Sequence, residues 1–331
     1  MADYLFGSAN VRTLESAIIG RERIAHLLEA KNADEAYAIL AEYGVQLYRY
    51  EDSGTMAREE TLLGILRNAY ARVTELAPDS EALALWLYPY DCNNLKAAIK
   101  CASRGIEPDS MMFDFGLVST AEVVQAVSTG DFSAFPKAMR DAAEEAVTAF
   151  ARTRNPQVVD LILDRACYRD MLTAAKASEN DYVLRIVTAK IDLANLMILL
   201  RVLRMRSGEA GRALLEDALL EGGKLSPDTL TACYNAGEDS LWGTLKGTEY
   251  REFAEALYVS DKSLAAAERI SDNAVMKIIR EAKFIPMGLE VMVAFLLGHE
   301  YEVKNLRIVL SGKEAGVDTK TIRERIRDSY V

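Results

Sequence analysis

Apolar residues recur along this chain at the three-to-four spacing of helices. Between Ser8 and Ala30 they fall at Val11, Leu14, Ile18, Ala25 and Leu28, one face of a single helix that Ser8 can cap. A shorter helix spans Ala33 to Tyr43 and stops at Gly44. From Ala57 to Ala77 the stripe is Leu62, Ile65, Leu66, Ala69, Val73 and Leu76, and it ends before Pro78. Asn155-Pro156 and Ser226-Pro227 are start signals, a capping residue followed by a first-turn proline, and the first predicts a helix to about Ala177. Asn180 to Ser207 reads as one long helix closed by Gly208. Pro286 opens another, to about Ser311, and Asp318-Thr319 open the last, to Tyr330. No run alternates with period two, so the predicted fold class is all-α.

A polar motif repeats within this pattern. Asn-Leu occurs three times although the chain has 11 asparagines, and each time an acid stands three residues before the Asn. The three copies are Asp91-Cys-Asn-Asn94-Leu95, Asp192-Leu-Ala-Asn195-Leu196 and Glu302-Val-Lys-Asn305-Leu306. The position after the acid is apolar in all three, and so are the positions seven and eight after it. Two weaker echoes accompany the motif: Val118-Ser119 with Leu225-Ser226, each opening a short helix, and Asp164-Arg-Ala166 with Asp272-Asn-Ala274. A period near one hundred residues is too long for a solenoid unit. It predicts three similar helical domains from an internal triplication, 1–113, 114–223 and 224–331, with loops near Pro108, Gly116, Gly222 and Gly223 as boundaries.

On a helix the acid and the Asn share one face beside the apolar stripe. Two readings follow. The pair is a structural polar clasp between a long helix and its neighbour, because a buried amide and carboxylate must find partners. Alternatively, three such helices surround a pseudo-threefold axis and present these groups to a partner. A basic residue at Lys96, Lys100, Arg201 or Arg307 also permits a local ion pair.

Composition narrows the class. The 331 residues are 50% hydrophobic and carry 39 basic against 50 acidic side chains, a net charge of −11, which argues against nucleic-acid binding. The charge is uneven. From Tyr301 to Val331 seven basic residues face five acidic ones, so Arg307, Arg323 and Arg327 are candidates for contact with an acidic partner surface or neighbouring domain. The opening MADYLFGSAN lacks the basic and apolar regions of a secretory signal. Cys92, Cys101, Cys167 and Cys233 form no Cys-x-x-Cys pair and read as reduced thiols in the cytoplasm. The most apolar run, Ile285 to Gly298, is shorter than the roughly 20 residues of a bilayer span.

Catalytic signatures fail on inspection. His299-Glu300 begins like a zinc-protease helix, but Val303 stands where the second histidine belongs. Asp114-Phe115-Gly116 has no kinase context. Gly312-Lys313 lacks the earlier glycine of a phosphate loop, since Arg307 occupies that place. His26 and the acidic pairs Glu59-Glu60 and Glu144-Glu145 read as ordinary helix residues. The expectation is a non-catalytic protein without cofactor or metal site.

At Ala294 to Lys313, AFLLGHEYEVKNLRIVLSGK, the sequence resembles the closing motif of the C subunit of the V-type (archaeal-type) ATP synthase, the counterpart of the eukaryotic d subunit. Glu302, Lys304, Asn305, Leu306, Arg307, Ile308, Gly312 and Lys313 carry the match. The stretches YLFGSANVRTLES, LDRACYRDMLTAAKAS and TKTIRERIRDSYV are similar to the family's opening, middle and end, so the resemblance covers the chain. It implies a non-catalytic central-stalk part with three similar helical domains, funnel-like about a pseudo-threefold axis. Such a part joins the central shaft subunits of the soluble sector to the proteolipid ring of the membrane sector. It would couple proton or sodium transport to ATP synthesis or hydrolysis, as one monomer within a hetero-oligomeric complex, peripheral at the cytoplasmic face of the cell membrane. No small-molecule ligand is implied. The alternative is a helical scaffold or adaptor unrelated to that complex, and an unrecognised hydrolase is a third reading.

Overall fold

A computed structural model of the chain describes residues 4–79, 81–108, 111–205, 208–259 and 263–331. Their regular elements are α-helices: α1 Leu5–Leu14, α2 Arg21–Glu29, α3 Ala33–Glu42, α4 Arg58–Leu76, α5 Glu81–Ala84, α6 Tyr88–Ala102, α7 Thr120–Thr129, α8 Lys137–Thr153, α9 Pro156–Ala177, α10 Asp181–Met205, α11 Gly208–Ala218, α12 Pro227–Ala236, α13 Glu238–Leu245, α14 Arg251–Val259, α15 Leu264–Ile279, α16 Leu289–Glu314 and α17 Thr319–Arg325. Among the described residues the only β pairing is a single antiparallel bridge between Arg49 and Met56. The chain divides into two compact units, Met1–Ser80 with Glu249–Val331, and Glu81–Thr248.

The first unit is built around α16. Val291 to Leu297 and Leu306 are all 3% exposed or less, so this helix is apolar on every side over its first half. It packs against α4, α1, α3 and α2. Gly298 lets the ring of Tyr330 lie on its backbone, since a Cβ there would stand 3.1 Å from two ring atoms. On the flank of α16, Arg307 pairs with Glu59 of α4 at 2.9 Å, while Glu314 takes Arg58 and the Tyr37 hydroxyl. Burial raises the Tyr37 pKa, and Glu314 raises it further.

The second unit has α9 and α10 at its centre. α9 packs against α8, α6 and α10. Asn155 caps α9 by accepting the Gln157 N–H, with Pro156 in the first turn as the start signal predicts. Ser119 and Glu122 form a complete capping box on α7, and Ser226 caps α12. Lys96 and Lys100 of α6 reach Asp164 and Asp160 of α9, both at 2.5 Å.

Four expected helix limits differ from those found. The single helix Ser8 to Ala30 is two, broken at Ile18, whose ψ of 132° is extended. Gly20 marks the break: the Val331 carbonyl comes within 2.7 Å of where a Cβ would stand. Ser8 is inside α1 rather than capping it, and its hydroxyl accepts the Gly288 N–H. The helix after Pro286 begins at Leu289, following Gly288 at φ 144°. The last helix ends at Arg325, because Arg327 gives its backbone to Asn305. The expected end at Ser207 lies outside the described residues.

The dominance of apolar burial over surface ion pairs in the first unit is measurable. Leu306→Ala, at a site with no exposure, is expected to cost about 2–5 kcal/mol in urea unfolding. Arg307→Gln, which breaks the half-exposed pair with Glu59, is expected to cost less than about 1 kcal/mol.

Candidate functional site

The three copies of the repeated motif form one hydrogen-bond device. Asp91, Asn94, Asp192, Asn195, Glu302 and Asn305 are each 4% exposed or less, and they make up six of the ten buried polar or charged side chains among the described residues. That concentration is costly unless every group is satisfied, and each one is.

The asparagines act alike. Asn94 donates Nδ2–H to the Phe113 carbonyl at 2.8 Å and accepts the Phe113 N–H at 2.8 Å. Asn195 does the same with Leu220, both at 2.8 Å. Asn305 does it with Arg327, at 3.1 and 2.8 Å. In each copy the side-chain amide pairs with one loop peptide as a neighbouring strand would, on both its donor and its acceptor.

The acids hold the chain a few residues further on. Asp91 accepts the N–H groups of Leu117 and Val118, at 3.0 and 3.1 Å on Oδ1. Asp192 accepts those of Lys224 and Leu225, both at 2.9 Å. Backbone comes so close that a Cβ on Gly116 or Gly223 would stand 2.2 or 2.0 Å from the carboxylate oxygen, so those two positions demand glycine. The next residue, Ser119 or Ser226, caps the following helix.

The third copy is closed by the N-terminal segment. Glu302 accepts the Ile19 N–H at 2.9 Å, and its second oxygen meets His299 Nδ1. Ile19 stands immediately before Gly20, which occupies the N-cap of α2. Val118, Leu225 and Ile19 therefore hold the same place: a buried branched residue that donates to the motif acid and precedes the cap of a helix. In the first two copies loop and helix are continuous. In the third the loop runs to Val331, whose carbonyl accepts the Arg21 N–H at 3.3 Å, and the helix is supplied from the N-terminal segment. The sequence reading missed this; the signal it had was Ile19-Gly20, a branched apolar residue and a small one, like Val118-Ser119 and Leu225-Ser226. It also missed Asp170 of α9, which accepts the Ala138 and Met139 N–H groups and so satisfies the first turn of α8.

The basic candidates part company. Arg307 is engaged with Glu59, and Arg327 with Asp272 at 3.0 Å. Burial works to raise the Asp272 pKa, but Lys304 and Arg327 outweigh it and hold it below the ordinary carboxylate range. Arg323 is exposed on α17. His299 lies edge-on to Phe295 with ring centroids 4.6 Å apart, serving Glu302 and packing. Among the described residues no cluster of His, Cys, Asp and Glu is placed to hold a metal ion, and no helix is long and apolar enough to cross a membrane. The four cysteines are buried free thiols.

The clasp recurs on α6, α10 and α16 of an all-helical chain, and comparison with known proteins gives the family. The chain matches the ATP synthase (C/AC39) subunit family over residues 8–325. It is 23% identical over 322 residues to the C subunit of the V-type sodium ATPase of Enterococcus hirae, covering 97% of each chain. It is 25% identical over 352 residues to the C subunit of the A-type ATP synthase of Methanocaldococcus jannaschii, covering 98% of this chain and 86% of that one. With the C subunit of the Haloferax volcanii A-type ATP synthase the identity is 26% over 342 residues, covering 97% and 93%. The chain belongs to the ATP synthase (C/AC39) subunit family.

Two outcomes test the clasp. Asn195→Ala leaves the buried N–H and carbonyl of Leu220 without partners, at roughly 1–3 kcal/mol for each. We expect a loss on the order of 2–5 kcal/mol in urea unfolding, larger than for Asn305→Ala, whose loop is only part-buried. The second outcome concerns pH. Burial pushes the Asp91 carboxyl up to about 6 from an ordinary 3.8, against the pull of the Val118 and Leu117 N–H groups. A carboxyl with a raised folded pKa adds stability that is full below the unfolded value and is lost as pH rises through the folded one. Wild type should therefore gain on the order of 2 kcal/mol relative to Asp91→Asn between pH 7 and pH 4, read from urea midpoints of both proteins at each pH.

Proposed function

We propose that this chain is the non-catalytic central-stalk subunit of a V-type ATP synthase or ATPase, joining the central rotor shaft to the membrane proteolipid ring. In that place it transmits torque, so that proton or sodium flow is coupled to ATP synthesis or hydrolysis. Membership of the ATP synthase (C/AC39) subunit family over almost the whole chain is the observation that carries the reading. The protein acts as one copy in a hetero-oligomeric complex, peripheral at the cytoplasmic face of the membrane.

The body that does this is, in our reading, a threefold repeat. The three copies begin at Ile19, Val118 and Leu225 and end in the helices α6, α10 and α16. Each motif helix holds the loop that leads into the next copy, and α16 holds Ile19 and so leads back into the first. Two neighbour relations support the order: α6 packs on α9, the long helix of the second copy, and α16 packs on α4, the long helix of the first. The family resemblance implies a funnel about a pseudo-threefold axis, which would receive a shaft. Torque needs a body that does not yield internally, and clasps that satisfy buried loop peptides at both donor and acceptor stiffen the turns between copies.

Affinity capture tests the reading. The tagged chain, taken from detergent-solubilised membranes of cells that make it, should bring down a shaft subunit and a proteolipid ring, while the purified chain alone shows no ATP turnover. Recovery of soluble partners without shaft or ring would make it a helical adaptor. Steady ATP turnover by the purified chain would make it an enzyme.

A further inference from the structure

A cavity of about 580 Å³ opens in the first unit between α2 and the segment from α17 to Ser329. Its floor is apolar, Ile24, Leu28 and Ile326, and four arginines line it: Arg21, Arg280, Arg323 and Arg327. A single carboxylate, Asp328, shares the wall. This gathering of cations stands in a chain whose net charge is −11.

The four do not stand alike. Arg280 is fixed by donating Nε–H to the Ser329 carbonyl at 2.9 Å, and Arg327 by its Nε–H to Asp272 and its Nη1–H to the Arg325 carbonyl at 2.7 Å. These two are oriented before anything binds, so ordering them costs a ligand little. Arg21 and Arg323 are exposed, and no carboxylate pairs with either among the described residues. Nearby, burial lowers the pKa of Lys283, and the Arg280 charge adds to it while Glu15 opposes it.

We propose that this cavity binds a small polyphosphate, an anion with two or more linked phosphoryl groups. The planar guanidinium fork matches phosphoryl oxygens two at a time. The volume lies within the range of small-ligand sites, about 300–1,000 Å³, and the concave wall favours a compact anion over a flat protein surface. The family resemblance implies no small ligand, and this site needs no phosphate loop to hold one: side chains from α2, from the turn after α15 and from α17 onward supply the cations that backbone N–H groups supply there. An acidic segment of a partner protein is the competing occupant.

Calorimetry on the full chain at low ionic strength decides between them, with inorganic triphosphate, ATP and citrate as probes. Triphosphate should bind at one site. Arg21→Gln with Arg323→Gln, both exposed, should weaken it at least tenfold with an unchanged unfolding midpoint. Removing the same charge elsewhere, by Arg104→Gln with Arg152→Gln, should change it less than twofold. ATP binding as tightly as triphosphate would identify the phosphate chain as the recognised part; weaker ATP binding would identify the free anion. The proposal is overturned if triphosphate does not bind, if the control pair weakens it equally, or if citrate binds as tightly, since a site for carboxylates is a site for an acidic partner.

Discussion

Peptide groups that leave a helix inside a protein cannot be abandoned without water or a partner. This chain leaves α6, α10 and α16 for buried or part-buried loops, and it solves the same difficulty three times with an acid and an asparagine. The asparagine takes the place of a neighbouring strand for one loop peptide, and the acid gathers the N–H groups just ahead of the next helix cap. Everything around the motif follows from that. Glycines 116 and 223 exist because the backbone must approach a carboxylate, and Val118, Leu225 and Ile19 are apolar because they enter the core where the clasp holds them.

The replacement of aspartate by glutamate in the third copy has a physical reason in the same terms. In the first two copies the acid-bound residue follows the Asn-bound one after a few positions, along a continuous chain. In the third that position is Val331, which turns its carbonyl to Arg21 instead of its N–H to the acid. The donor now arrives from another segment, Ile19, and the longer side chain of Glu302 reaches it while its second oxygen meets His299. His299, which looks like half of a metal site in the sequence, is occupied by this closure.

How much of this is legible beforehand depends on whether the deciding partner is near in sequence. The motif residues were visible because they repeat, and the helix starts at Pro156, Ser119 and Ser226 because a cap and a proline act within one turn. The break at Ile18 to Gly20 was hidden because its cause lies far along the chain, at Glu302 and Val331. Helix α8 was open to reading, since its buried stripe of Met139, Ala142, Ala143, Ala146 and Phe150 keeps the helical spacing. Arg307 and Arg327 were legible as candidates to meet an acidic partner surface or neighbouring domain, and the fold names Glu59 and Asp272 as the acids that face them.

The same distinction separates structure from recognition on this surface. A cation with a local carboxylate gains little by meeting a second one, because its field is already largely cancelled at short range. Arg307 therefore serves chiefly to fix α16, and Arg327, though held by Asp272, lines the cavity as an oriented donor. A cation without such a partner keeps its field and its donors, and several of them around a concavity raise the local concentration of anions. Arg21 and Arg323 are of that second kind, and they flank the segment that closes the third copy. Whatever anion enters there would draw α2 and α17 together, and so would tighten the closure that Glu302 and Val331 make with the segment from Ile19 to Arg21.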